Sequence, residues 1–189
     1  MYHINNNKRS IQSSEWIYEA LRDLMNETKY ESITITEIVE RAKVGRSTFY
    51  RNFDNKDDIL RYKCDEKSKE LKEYILAYRK NADETTEQLF LRPFLRFWYL
   101  DSTIIELLIN ANRLDILADT SVKMFGAFVP NSQFLNEANE KYGDYLLSIR
   151  FGIAINLLTQ WIKNNKKDAP DDLADMILSQ VRLVALTLV

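Results

Sequence analysis

The stretch SITITEIVERAKVGRSTFYRNFDNK, residues 32–56, decides the fold. Thr34 and Glu37 stand three apart, the spacing of a capping box. In that motif the hydroxyl and the carboxylate each satisfy a backbone donor that a helix's first turn leaves open. Ile35, Ile38, Val39 and Ala42 follow at helical spacing. Lys43, Val44 and Gly45 interrupt the pattern, and a second short helix is expected over residues 46–52. Phe49 and Phe53, four apart, share one face, while Arg46, Ser47, Tyr50 and Arg51 include side chains free to point outward. A short exposed helix with Arg, Ser, Thr and Tyr, held by an apolar strut, is what reading a major groove of double-stranded DNA requires.

Upstream, a first helix is expected from Ser13 or Ser14 to about Thr28, with Ile17, Ala20, Leu21 and Leu24 as its inner stripe. Trp16 and Met25 flank that stripe and are assigned to the core. Residues 1–12 read as a flexible arm, either a frayed tail or, through Asn5-Asn6-Asn7-Lys8-Arg9, a strap along DNA phosphates or into a minor groove. Downstream, Asp54 and Asn55 cap a fourth helix over about residues 56–80. Asp57 and Asp58 suit the positive end of that helix, whereas Lys56 opposes it and makes better sense with a phosphate as partner. The charged run 63–72 is expected to be a solvated face.

Composition sets the outer limits. A chain of 189 residues with four Gly and three Pro is written mostly as helix. The net charge of −2 does not announce a nucleic-acid partner, so that reading rests on the motif alone. The single cysteine, Cys64, allows no intrachain disulfide, suits a cytoplasmic location and is expected to be a bystander on a surface helix. The single histidine, His3, lies in the arm. No nucleophile–base pair, Gly-rich phosphate loop or Cys/His metal spacing is present, so no enzyme, cofactor or metal role is expected. The first twelve residues lack the apolar run of a signal peptide, and no segment approaches the ~18 apolar residues of a membrane span.

Ile17, Ala20, Leu24, Tyr30, Thr34, Ile38, Ala42, Val44, the run Thr48-Phe49-Tyr50-Arg51-Asn52-Phe53 and the trailing residues 55–60 together resemble the DNA-binding part of the TetR family of transcriptional regulators. Against the family pattern this chain has Phe49 for Leu, Asn52 for His, Lys43 where Gly is usual and Gly45 where Ser is usual. Lys43 is therefore expected to tolerate a left-handed backbone. The resemblance covers about the first third of the chain. It implies an all-α protein of about nine helices. A three-helix helix-turn-helix domain would occupy residues 13–60 and a helical ligand-binding and dimerisation domain residues 61–189, linked by the fourth helix. It implies DNA contacts among Thr34, Thr36, Lys43, Gly45, Arg46, Ser47, Thr48, Tyr50, Arg51, Asn52 and Lys56.

Beyond a polar break at residues 81–85, the stretch 89–100 is the most aromatic in the chain. Phe94 and Trp98, with Leu108 and Phe125, are read either as ordinary core or as the wall of a pocket for a small hydrophobic or aromatic effector. Two long helices end the chain, over about residues 141–164 and from residue 171 onward. Gly152 and Ala154 allow close helix approach, and Trp161, Val181, Val184, Ala185 and Leu188 supply apolar surface, so these residues are assigned to a homodimer interface. The function expected is a homodimeric repressor released from a palindromic operator by an effector. The competing reading is a dimeric DNA-binding module controlled by a protein partner or without any small-molecule effector.

Overall fold

The computed structural model describes residues 1–5, 7–81, 88–126 and 137–187. The described residues form nine α-helices: α1 (Lys8–Glu27), α2 (Ile35–Arg41), α3 (Arg46–Asn52), α4 (Lys56–Asn81), α5 (Gln88–Leu100), α6 (Thr103–Asn110), α7 (Leu114–Gly126), α8 (Glu137–Lys163) and α9 (Pro170–Thr187). A single 3-10 turn, Tyr30–Ser32, joins α1 to α2. No helix among the described residues is long and apolar enough to cross a membrane.

Glycine is scarce, and the helix ends show it. A helix often stops on a left-handed residue whose amide, with that of the next residue, bonds back to carbonyls of the last turn. Here Lys43 ends α2 with φ +53°, Asn112 ends α6 with φ +54°, and Asn165 ends α8 with φ +57°. In each case the paired back-bonds are present: Val44 N to Val39 O at 3.0 Å, Arg113 N to Leu108 O at 2.8 Å, and Lys166 N to Trp161 O at 2.9 Å. Asparagine tolerates this conformation through its short polar side chain. Lysine does so only against its Cβ, so the left-handed backbone expected at Lys43 is present and strained.

The helices gather into two compact units. Residues 1–66 and 103–123 make the first, and the described parts of 67–102 and 124–189 the second. The division by sequence placed α6 and α7 wholly with the second half. Polar bonds fasten α7 to α4 instead: Thr120 Oγ1 donates to Asp65 at 2.7 Å and Arg61 pairs with Asp119 at 3.3 Å. These partners lie more than fifty residues apart and leave no periodic trace.

In the first unit Ile17, Leu21, Ile38, Phe49, Phe53, Ile59 and Leu60 form the buried core. The α1 stripe is where its periodicity puts it, but α1 begins at Lys8 rather than at Ser13 or Ser14. Asn7 Oδ1 caps it by accepting from Ser10 N at 2.8 Å, and Ser13 and Ser14 are buried inside the helix, donating to Ser10 O. Nor are Tyr2 and His3 loose. Tyr2 pairs with Phe53 in a single antiparallel bridge, His3 N donates to Asn52 O at 2.8 Å, and Tyr2 Oη donates to Asp65 at 2.7 Å. Trp16, assigned to the core, is 48% exposed and edges an open cleft of about 400 Å³ with Arg41 and Lys43. Cys64, expected on a surface helix, is fully buried, as are Ser68 and Leu71 in the run read as a solvated face.

In the second unit α5 packs along α9. Arg96 forks onto Asp171 with bonds of 2.7 and 2.6 Å, and Arg92 reaches Asp175 at 2.7 Å. Pro93 lies inside α5. Phe94, Leu95 and Trp98 are buried on that helix, and Trp161 on α8 stacks on Tyr99 with centroids 5.9 Å apart.

Candidate nucleic-acid interface

The reading surface is built from the α2 start upward. Thr34 Oγ1 accepts from Glu37 N at 3.3 Å, and Glu37 Oε2 accepts from Thr34 N at 2.8 Å, so the capping box written in the sequence is formed in both directions. The hydroxyl and amide of Thr34 hold the Glu37 carboxyl below the usual range. The left-handed Lys43 then turns the chain, and Gly45 caps α3 without a side-chain bond. Phe49 is fully buried against α1 and α2, which leaves Arg46, Ser47, Tyr50 and Arg51 exposed on the opposite face. Thr48 and Thr36 are half-buried. Arg46 reaches Thr36 Oγ1, tying α3 to α2, and Arg51 Nη2 donates to Thr48 Oγ1 at 3.1 Å.

Several cations elsewhere in the unit are paired with carboxylates. Arg41 pairs with Glu27, Arg61 with Asp119, and Lys63 with Glu15 and Glu66. Burial works against the Lys63 ammonium, but the two carboxylates outweigh it and raise its pKa. Among the described residues, Lys43, Arg46 and Arg51 meet no carboxylate. A polyanion approaching α3 would find these cations without an internal counter-ion to displace. Lys8 and Arg9, at the exposed start of α1, have none either, and Ser10 beside them bonds to Asn52 at the end of α3.

Two residues assigned to DNA contact are placed elsewhere. Asn52 is 1% exposed; its Nδ2 donates to Ser13 Oγ at 2.9 Å and its Oδ1 accepts from Ser10 Oγ at 2.8 Å. Its place three residues after Phe49 and one before Phe53 puts it on the inward face, and that spacing was the available signal. Lys56 is spent on backbone: Nζ donates to the carbonyls of Tyr30, Glu31 and Ile33 at 2.7, 3.0 and 2.9 Å and lies 4.5 Å from the Tyr30 ring centroid. Three donors on three carbonyls leave the ammonium none for a phosphate.

The assignments in the second half divide similarly. Phe94 and Trp98 are buried in the second unit, whereas Leu108 is buried in the first, so the four residues read as one pocket do not share a unit. The Phe125 side chain lies outside the described residues, as do Leu188 and the side chains of Val181, Val184 and Ala185. Of the expected interface, Ala154 and Trp161 are buried within the chain, and Trp161 Nε1 donates to Asp168 O at 3.0 Å. Among the described residues, nothing stands within 4 Å of where a Cβ on Gly152 would be. The exposed stripe of α8 is instead Tyr145, Ile149 and Ile153, at 71, 58 and 58%.

A two-helix reader on a buried three-helix scaffold, with unneutralised cations on its second helix, defines a helix-turn-helix DNA-binding module. Residues 17–62 match the family model for bacterial regulatory proteins of the tetR family. Over 55 residues the chain is 38% identical to the HTH-type dhaKLM operon transcriptional activator DhaS of Lactococcus lactis; the match spans 29% of this chain and 29% of that relative. In solved structures the chain is similar to Lin0861 from Listeria innocua (TM-score 0.73, 18% identity, 97% of this chain and 98% of that one). It is also similar to a putative TetR-family regulator from Syntrophomonas wolfei (TM-score 0.65, 19% identity, 93% and 95%). At such identities the likeness to the structures is one of fold. Residues 17–62 therefore carry a helix-turn-helix module like that of the TetR family of transcriptional regulators.

Proposed function

We propose that the chain acts as a homodimeric repressor on a palindromic operator and leaves it when a small effector binds the second unit. The observation that carries the DNA reading is the face of α3. Arg46, Ser47, Tyr50 and Arg51 project from a helix anchored by Phe49, and the cations among them lack carboxylate partners. Two such helices related by a two-fold axis would enter successive major grooves about 34–36 Å apart, which makes the site an inverted repeat. The apolar stripe of α8 supplies the self-complementary face such a dimer needs, and Gly152 lets a second helix approach it. Two buried polar atoms of the second unit, Trp98 Nε1 and Thr159 Oγ1, have no hydrogen-bond partner among the described residues. A ligand with an apolar body and a hydrogen-bond acceptor would satisfy the indole donor.

The sign of regulation follows from where the operator lies relative to a promoter, not from the reading module. The L. lactis relative is named an activator, and its match covers 29% of each chain, so it carries the module rather than the sign. Selection of bound duplexes from a random library, followed by transcription from a promoter bearing the selected site, tests both levels. An inverted repeat and reduced transcription are expected. A selected site without two-fold symmetry would remove the dimeric reading, and increased transcription the repressor. If no small molecule releases the protein from its site, the reading becomes a dimeric DNA-binding module controlled by a protein partner or without any small-molecule effector.

A further inference from the structure

We propose that Arg113 is a positioning residue for the reading surface: from the α6–α7 corner it holds Asp57, and through Asp57 and Tyr30 the turn that presents α2. The inference rests on the DNA-binding reading but concerns a residue outside its motif. Asp57 stands in the first turn of α4 and is shared. Its Oδ1 accepts the Tyr30 hydroxyl, and its Oδ2 pairs with Arg113 Nη1. Tyr30 opens the 3-10 turn that runs into the Thr34 cap of α2, and it is buried.

An exposed ion pair between two long side chains is worth little, because both must be ordered to make it. Arg113 is ordered beforehand. Its backbone amide donates to Leu108 O at 2.8 Å beside the left-handed Asn112, which fixes where the side chain starts. Its Nε and Nη2 fork onto Asp115 with two bonds of 2.9 Å, which fixes the plane of the guanidinium. Nη1 is then presented to Asp57 with little freedom left to lose. Asp57 also differs from a surface acid, since its second oxygen holds a buried phenol. Loss of Arg113 would therefore loosen Tyr30, and with it residues 30–37, while leaving the α1 stripe packed.

The test is amide hydrogen exchange on the full chain, comparing wild type, Arg113→Gln, Tyr30→Phe and the double variant. Each single change should speed exchange at residues 30–37 by roughly three- to tenfold, the range for losing one networked bond, and leave residues 17–24 unchanged. The double variant should be no faster than the faster single, because both cut one path. Unchanged rates at 30–37 in Arg113→Gln, one common factor at all amides, or factors that multiply in the double would each overturn the proposal. On the selected duplex, Arg113→Gln should weaken binding by a similar factor with the salt slope unaltered. Unaltered affinity, or a slope smaller by about one, the mark of a lost phosphate contact, would also overturn it. A wild-type protein that selects no duplex would sink the DNA reading instead, with the exchange result standing by itself.

Discussion

Asn52 and Ser13 meet amide to hydroxyl at 2.9 Å in the buried seam between α3 and α1. Ser10 closes the other side of the same amide at 2.8 Å, so the end of the reading helix is pinned to the start of α1 by a polar clamp. Removing one partner of a buried hydrogen bond leaves the other unsatisfied, at about 1–3 kcal/mol. Asn52→Ala should destabilise the protein by that amount in urea denaturation. If the variant kept wild-type stability and lost DNA affinity with a smaller salt slope, Asn52 would be a contact and not a clamp.

Arg46 and Lys43 should separate by kind of contact. Arg46 starts α3 on its exposed face, and an Arg fork to guanine is the commonest specific pairing. Arg46→Ala should weaken the best site by roughly 1–3 kcal/mol and relax preference at one base pair. Lys43 sits in the turn with φ +53° and no carboxylate partner. Lys43→Gly relieves a left-handed penalty of about 1–2 kcal/mol, less the extra freedom glycine has when unfolded, for a net gain of about 0.5–1 kcal/mol. It should also reduce the salt slope by about one, equally on all sequences. A variant with lower stability would show that the turn does not store strain.

How much of this was legible depends on sequence distance. The box Thr34–Glu37 and the strut Phe49–Phe53 are local, and α2 and α3 fall where they put them. The start of α1 was not legible, because Asn7, Ser13 and Ser14 are all competent caps. The choice among them is made by Asn52, some forty residues on. For α8, periodicity gives faces but not which face is covered. Ala154 and Trp161, apolar and well placed for an interface, are core, while Ile149 and Ile153 are exposed. The partnership of Tyr30, Asp57 and Arg113 spans 27 and 56 residues and has no signal in any window.

The exposed stripe of α8 predicts a specific failure. Ile149→Glu or Ile153→Glu would place a charge in an apolar contact between two copies, a loss of several kcal/mol. Each variant should sediment as a monomer at the 22.3 kDa chain mass, with the wild type at twice that. Both should keep their helix content, since both side chains are more than half exposed. Wild type sedimenting as a monomer at micromolar concentration would remove the dimer outright.

Acid should undo the caps and pairs in a defined window. Thr34 holds Glu37 below the usual carboxyl range, Arg41 does the same for Glu27, and Arg96 for Asp171. A carboxylate whose folded-state pKa is depressed lends stability that is full above its ordinary value and lost as the pH falls through the depressed one. Thermal stability should therefore be flat from pH 7 to about 5 and decline below about pH 4. Glu37→Gln keeps a capping side chain without the titration, so its decline should be shallower. Parallel curves for the two proteins would mean that Glu37 carries none of the effect.

Lys56 distinguishes a phosphate contact from a strap across backbone carbonyls. Its ammonium sits on the carbonyls of Tyr30, Glu31 and Ile33, all at 3.0 Å or less, and those carbonyls belong to the turn before α2. Lys56→Met keeps the aliphatic stem and removes only the three donors. Carbonyls left partly unsatisfied should lower stability by about 1–3 kcal/mol. DNA affinity should fall because the start of α2 is less fixed, yet the dependence of log affinity on log salt should keep its slope, since no phosphate contact is lost. A slope reduced by about one with stability unchanged would return Lys56 to the DNA interface and show that it exchanges its carbonyls for a phosphate on binding.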